Sequence, residues 1–126
     1  MSTDHVELRV PASSAYVSVL RTAAAGLAAR LDFTVDDIED LRIAVDEACA
    51  VILPLAEADA RLSARFDLEP RRLQVTVSVP STATEPPSRN TFAWTVLTAL
   101  AGEVDASVDN GTITLTLRKQ QAVSPG

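Results

Sequence analysis

The stretch from Thr34 to Ala56 constrains the fold more than any other part of the sequence. Apolar residues recur in it at alternating steps of three and four, which places them along one stripe of an α-helix. Thr34 precedes two aspartates, so its side-chain oxygen is suited to cap the helix, and the acids lie at the positive end of the helix dipole. A helix of this kind requires a sheet against which it can bury its stripe, which consists of Ile38, Leu41, Val45, Ala48 and Ile52.

The opposite side of this helix carries a lone carboxylate, Glu47. Its neighbours three and four residues away are Ile43, Ala44, Ala50 and Val51. A helix that is apolar nearly all round is usually covered on both sides, and an unpaired buried charge is costly. Glu47 therefore either has a chemical role or borders a polar opening.

The composition indicates one folded domain. The chain has 126 residues, of which 47% are hydrophobic, and this length suits a single core. Its one cysteine, Cys49, excludes an intramolecular disulfide and favours a cytoplasmic location. The first ten residues show no signal peptide, and no apolar run approaches membrane length. We therefore expect a soluble protein without a membrane segment.

The charge balance favours protein or small-ligand partners. The formal net charge is −6, whereas proteins that bind nucleic acid rely on clustered Lys and Arg. With a single histidine and a single cysteine, the chain cannot assemble a His/Cys metal cluster. Direct nucleic-acid binding is therefore not expected.

Five stretches alternate between apolar and polar residues, as half-buried strands do. They cover residues 5–10, 62–68, 73–79, 104–108 and 113–117. The last two are separated by Asn110-Gly111, which suits a two-residue type I′ turn. Two further helices complete the pattern. The first follows Ser13 and Ser14, and the third lies near residues 91–101. One face of the first helix is formed by Tyr16, Leu20, Ala23, Leu27 and Leu31.

These elements predict a two-layer α/β sandwich of the α+β class. Because every strand is apolar on one face only, the sheet should be covered by helices on one side and solvated on the other. We expect a mixed, mostly antiparallel sheet of about five strands with three helices on one face. The single domain should span residues 1–119, followed by a flexible tail at residues 120–126.

The order of elements, together with LRIAVDEAC at residues 41–49, resembles the RsbW-like family of anti-sigma factors and serine-protein kinases. This family has the GHKL, or Bergerat, fold of histidine-kinase-type ATPases. FAWTVLTALAGEVD at residues 92–105 and the Gly111-Thr112 strand also resemble the family. The resemblance covers nearly the whole chain, although each motif is short.

The resemblance implies a nucleotide site between the central helix and the loop at residues 80–90. Family members bind ATP there, and many phosphorylate a serine of an anti-anti-sigma factor of the STAS type. As dimers they hold a sigma factor away from RNA polymerase. By position, Glu47 matches the family's general base, and the resemblance implies nucleotide contacts at Glu47, Val51, Val77 and Thr112.

Two departures from the family pattern concern this site. Val51 stands where the family has its magnesium-binding asparagine, and a valine cannot ligate magnesium. The glycine-bearing box that binds adenine is also missing, since no glycine occurs between Gly26 and Gly102. Phosphoryl transfer depends on the positioning of the phosphates and on stabilisation of their charge by a metal and hydrogen-bond donors. The set of residues that this reaction requires is therefore incomplete.

These observations predict an anti-sigma factor that captures an alternative sigma factor stoichiometrically and is regulated by partner switching with an anti-anti-sigma factor. No cofactor is expected in this interpretation, and a homodimer is an expectation from the family. The alternative is an active serine/threonine protein kinase that uses ATP and Mg²⁺ with Glu47 as the base. A third hypothesis is a sensor that binds nucleotide without transferring phosphate.

Several residues have a structural interpretation beside the functional one. Glu47 is either the base or a helix carboxylate at the rim of a vestigial pocket. Cys49 is interpreted as a small core residue, and Asp46 as the partner of Arg42 in a surface ion pair. Trp94 belongs either to the core or to the edge of a contact surface.

Overall fold

Five strands form one sheet in the computed structural model, which describes residues 4–121. All four pairings between neighbouring strands are antiparallel. The predicted mostly antiparallel sheet of about five strands is confirmed. In the spatial order β1-β2-β3-β5-β4, the strands are β1 (Asp4–Pro11), β2 (Arg61–Glu69), β3 (Arg72–Pro80), β4 (Glu103–Asp109) and β5 (Thr112–Gln120).

Three helices cover one face of this sheet, as predicted. They are α1 (Val17–Arg30), α2 (Val35–Ile52) and α3 (Phe92–Ala101), and short 3₁₀ turns lie at Ser14–Tyr16 and Leu53–Leu55. The backbone N–H of Asp37 donates to Thr34 Oγ1 over 3.1 Å, and the N–H of Trp94 donates to Thr91 Oγ1 over 3.1 Å. Hydroxyl caps therefore fix the starts of α2 and α3.

Helix α2 is the centre of the helical layer, with α1 on one side and α3 on the other. Its predicted stripe is confirmed, because Leu41, Val45, Ala48 and Ile52 are fully buried and Ile38 packs against the core. The expectation that α2 is covered on both sides is wrong for its outer side, where Ile43 is 45% exposed. The apolar character of α2 instead reflects the helices that flank it.

The buried face of α1 differs from the prediction. Leu20, Ala24 and Ala28 are fully buried, whereas Ala23, Leu27 and Leu31 pack only partly against the core. Tyr16 is 43% exposed and precedes the helix in the 3₁₀ turn. Small alanine side chains let α1 lie close to α2, and hydrophobic periodicity alone favours the larger leucines over them.

The hairpin between β4 and β5 has the predicted turn. Asn110 has φ +50° and Gly111 has φ +76°, and a type I′ turn requires positive φ at both central residues. The turn matches the right-handed twist of the flanking strands, so it also fixes the register in which Asp109 pairs with Thr112.

Cys49 belongs to the core, as expected. It is fully buried on α2. Burial raises the pKa of its thiol from 9.0 to about 12, and the nearby Asp46 carboxylate adds to the rise. The side chain is therefore an uncharged packing group at neutral pH.

The domain boundary at residue 119 stays a prediction. Strand β5 reaches Gln120, and the N–H of Gln121 donates to the Arg71 carbonyl over 2.6 Å. Residues 122–126 of the predicted tail lie outside the described residues. In the part of the chain that the structure describes, no helix is long and apolar enough to cross a membrane.

Two glycine substitutions should have opposite effects on stability. Gly111→Ala should lower the free energy of unfolding by about 1 kcal/mol, because an L-residue is strained at positive φ. The added methyl group meets nothing closer than the Ser81 carbonyl at 3.9 Å, so the cost is conformational. Gly26→Ala within α1 meets nothing within 4 Å and should raise stability by about 0.5–1 kcal/mol. Urea denaturation of both variants checks this, and equal effects would contradict the turn assignment.

The buried thiol predicts an alkaline loss of stability. Because the folded-state pKa of Cys49 is raised above its unfolded value, this contribution is complete below about pH 9 and is lost as the pH rises towards 12. Urea denaturation at about pH 8 and about pH 11 should show a steeper decline for the native sequence than for Cys49→Ala. Identical declines would place the thiol in contact with water.

Candidate functional site

The side of α2 that faces α3 carries the residues at the predicted nucleotide site. Residues Asp40, Ala44, Glu47 and Val51 follow one another at steps of three and four, so they share this side of the helix. Ala44 is fully buried, Val51 packs partly against the core, and Glu47 is half-buried. Glu47 therefore lies where the α2–α3 contact meets the surface.

A lysine joins the ends of α2, α3 and β5. Lys119 Nζ donates to the Leu100 carbonyl over 2.8 Å and lies 3.6 Å from both Asp37 and Asp40. The side chains of Lys119 and Asp37 are each only 13% exposed. The ammonium group is largely removed from water. It donates to a carbonyl in the last turn of α3 and neutralises two carboxylates of α2, so it holds these helices together at one end.

The contact between α2 and α3 is filled by apolar side chains. Leu97 of α3 is fully buried and Ala101 is 3% exposed, and Ala44 and Ala48 of α2 are fully buried as well. A fully packed contact of this kind has the density of a protein interior. These residues therefore join α2 and α3 through the hydrophobic core.

Hydrogen bonds to neighbouring segments fix the beginning of the loop predicted at residues 80–90, which the structure bounds at residues 81–91 between β3 and α3. Ser81 is 3% exposed, its N–H donates to the Gly111 carbonyl over 2.8 Å, and it bridges to Ala56. Its Oγ accepts from the N–H of Ala83 over 3.0 Å. Because the loop contains no glycine, it has no position that readily adopts positive φ or exposes bare backbone to phosphates.

Arg89 holds the end of this loop. Its Nη2 donates to Asp105 Oδ1 of β4 over 2.9 Å, and its guanidinium carbon lies 4.8 Å from the centroid of the Trp94 ring. Trp94 is half-buried, so it belongs to the edge of α3 rather than to the fully buried core. An ion pair and a cation–π contact at this exposure stabilise the loop modestly.

The structure does not bring all four sequence-predicted site residues together. Glu47 and Val51 share one side of α2. Val77 is 1% exposed in the core, where its strand neighbours are Ala64 and Leu115. Thr112 alternates with the buried Ile113 and faces the solvated side of the sheet. The roles that the resemblance implies for these residues stay predictions.

The donor set on α2 does not fit magnesium. The Val51 side chain offers no oxygen, and Asp37 and Asp40 of α2 are engaged by Lys119. Among residues 4–121, no three His, Cys, Asp or Glu side chains are grouped so that they could hold a metal ion. Magnesium in this fold would need oxygen ligands and substrate phosphates, so we derive no reaction step through it.

The ion pairs that α2 forms on its surface differ from the prediction. Asp46 does not pair with Arg42 but with Arg21 of α1, whose Nη1 lies 2.8 Å and 3.1 Å from the two carboxylate oxygens. Arg42 instead lies 3.3 Å from Glu39. Spacing within one helix cannot reveal a partner on another helix, so Arg21, Arg89 and Lys119 were not predicted as organising residues.

Comparison with known proteins identifies relatives over more than half of the chain. No protein-family model matches. The chain is 41% identical over 80 residues to the serine-protein kinase RsbW of Bacillus velezensis and 39% identical over 80 residues to that of Bacillus subtilis. These matches cover 61% of this chain and 50% of each relative. The chain thus spans about half the length of the curated relatives it matches.

A solved structure extends the similarity to nearly the whole chain. The structure of the RsbU and RsbW domains of Rv1364c from Mycobacterium tuberculosis superimposes with a TM-score of 0.73. The match covers 94% of this chain and 33% of that one, at 16% identity. At this identity the match shows the fold alone. The resemblance to the RsbW-like proteins, which the motif at residues 41–49 first indicates, is therefore confirmed in sequence and in fold.

Proposed function

We propose that this chain is an anti-sigma factor that holds an alternative sigma factor by direct protein binding. Release follows when an anti-anti-sigma factor of the STAS type competes for it. The observation that supports the proposal is Val51, whose side chain packs partly against the core and offers no oxygen donor to a metal-bound nucleotide. An RsbW-like scaffold without that donor retains its surfaces for protein recognition.

Charge supports a partner of the sigma type. A factor that contacts DNA carries basic surface, since phosphate contacts rely on Lys and Arg. The net charge of −6 on this chain is complementary to such a partner. Acidic residues at the start of α2 contribute to this negative charge, and two of them, Asp36 and Glu39, are exposed. A role in sigma binding implies action in the cytoplasm.

An exposed aromatic side chain offers a point of attachment. Phe92 is 84% exposed, the highest value among the large hydrophobic residues of the described chain. It lies at the first position of α3, directly after the loop and two residues from Trp94. Aromatic residues are enriched at protein interfaces, so we place the centre of the sigma-binding surface here.

The alternative function is that of a serine/threonine protein kinase that uses ATP. The Bacillus relatives carry the name serine-protein kinase, and Glu47 is half-exposed with no hydrogen bond or ion pair to another described residue. A free carboxylate at this position is what a general base requires. The missing magnesium ligand favours the binding function over this one.

Titration calorimetry with ATP and Mg²⁺ separates the two functions. The binding function predicts no saturable magnesium-dependent heat, because Val51 supplies no ligand, and no difference between the native chain and Glu47→Ala. Saturable heat that disappears in Glu47→Ala would contradict the proposal and favour the kinase. Nucleotide binding without phosphate transfer to any partner would instead favour the sensor.

The fluorescence of Trp94 measures nucleotide binding independently of the heat of titration. It is the single tryptophan of the chain, and it stacks on Arg89 at the end of the loop. Nucleotide that orders or moves the loop should change its emission. We expect the emission to stay unchanged when ATP and Mg²⁺ are added. Arg89→Gln is the reference, because its emission shows the change that accompanies loss of the stacking.

Substitution of Phe92 tests the proposed surface. Phe92→Ala should weaken binding of the captured sigma factor by about tenfold, the loss expected for a moderate interface contact. Because Phe92 is almost fully exposed, thermal stability should not change. Val35→Ala is the matched control, since Val35 is 77% exposed and also occupies the first position of a helix. Equal weakening by both variants, or none by Phe92→Ala, would exclude this surface.

A further inference from the structure

The solvated face of the sheet carries ordered cross-strand rows of polar residues. In an antiparallel sheet, residues that pair across neighbouring strands point to the same face. One row consists almost entirely of hydroxyl side chains and ends in an arginine. Its members, from β1 to β4, are Arg9, Ser63, Ser78, Thr114 and Ser107.

Arginines in the neighbouring rows are neutralised. Arg65 lies 3.0 Å from Asp67 and 3.5 Å from Glu7. Arg118 donates to Gln74 over 2.9 Å and lies 3.8 Å from Glu103. These cations have local partners and so offer little charge to a ligand.

Arg9 and Arg61 differ from these arginines. Neither forms an ion pair or a side-chain hydrogen bond with any residue in the range 4–121. Both line one depression of about 380 Å³ on this face, and Ser63, Ser78 and Thr112 line it as well. Two arginines without ion pairs and three residues with hydroxyl side chains therefore share one concave site in a protein with a net charge of −6.

Carboxylates of the described chain lie at the margins of this depression, and none of them pairs with its two arginines. Asp109 of β4 pairs across the strands with Thr112, which lines the depression, and lies three strands from Arg61, roughly 14 Å at about 4.8 Å per strand. Glu7 is engaged by Arg65. Asp59 shares a different depression with Arg61 without pairing with it. Arg9 and Arg61 therefore keep their donors available to an anion.

We propose that this depression binds a phosphate-type oxyanion, either free phosphate or the phosphate group of a small monoester. The planar fork of an arginine matches a phosphate and forms paired, charge-assisted hydrogen bonds with it. Serine and threonine hydroxyls donate to the remaining oxygens. A second depression of about 630 Å³ shares Arg9, Ser63 and Ser78 with the first and offers space for the organic part of a monoester.

This site is independent of the proposed sigma-binding function. The depression lies on the face of the sheet opposite to α2 and α3, and the four β-strands that carry its residues separate it from Glu47. Loss of sigma binding would leave it intact, and loss of anion binding would leave the anti-sigma function intact. The two proposals can therefore fail separately.

An NMR titration of the full chain with inorganic phosphate tests the proposal. At constant ionic strength, phosphate should shift the amides of Ser63, Ser78 and Thr112 in a saturable way, and chloride should not. Arg9→Gln and Arg61→Gln should each weaken phosphate binding by about tenfold, because each removes charge-assisted bonds. The double variant should show no saturation. A parallel titration with glycerol 3-phosphate distinguishes a site for free phosphate from a site for a phosphate monoester.

Arg30→Gln is the matched control. Arg30 is an exposed arginine on α1 with no ion pair among residues 4–121, and it lies in the helical layer, so its substitution should leave phosphate binding unchanged. Tighter binding of glycerol 3-phosphate than of phosphate identifies a monoester site, and the reverse identifies a site for free phosphate. Shifts that chloride reproduces, or that persist in both single variants, would overturn the proposal. Circular dichroism of each variant confirms that the chain is folded.

Discussion

Helix α2 is enclosed by the sheet beneath it and by α1 and α3 beside it, and most other features of the structure follow from this burial. Fully burying a Leu or Ile side chain contributes about 1.5–3 kcal/mol, so its apolar stripe holds the two layers together. Polar groups on such a helix must find partners at its margins. Asp46 meets Arg21 of α1, and Asp37 and Asp40 meet Lys119 of β5. Glu47 is left at the border of the α2–α3 contact.

The same packing supports the proposed recognition function of this RsbW-like scaffold. Small residues on α2 and Leu97 on α3 allow the helices to approach, and Lys119 holds them together at one end. Ser81 fixes the beginning of the loop and Arg89 its end. A site built for phosphoryl transfer needs room, metal and mobile backbone, whereas a docking surface needs a rigid scaffold and exposed anchors such as Phe92. The fixed ends of the loop and the exposed Phe92 belong to the second set, and they support the proposed binding function.

Sequence patterns predicted the parts of the fold that depend on local spacing. The stripe of α2, the alternation of the strands and the Asn110-Gly111 turn each depend on spacings within a few residues. Contacts between distant elements were not predictable in this way. Three features depend on how the strands and helices pack together. Asp46 pairs with Arg21 on another helix, and α1 lies close to its neighbour because Ala24 and Ala28 are small. Val77 and Thr112 point to opposite faces of the sheet. The unpaired Arg9 and Arg61 likewise became visible only once the register was known.

The affinity of the captured sigma factor, measured in buffer with EDTA and again with ATP and Mg²⁺, tests the central claim most directly. A scaffold whose α2–α3 contact is closed by side chains should bind its partner equally well in both conditions, to within about twofold. An affinity that rises by about tenfold or more with ATP and Mg²⁺ would correspond to about 1.4 kcal/mol of coupling between the two ligands. Such coupling would show that nucleotide enters beside Glu47 and would contradict the account.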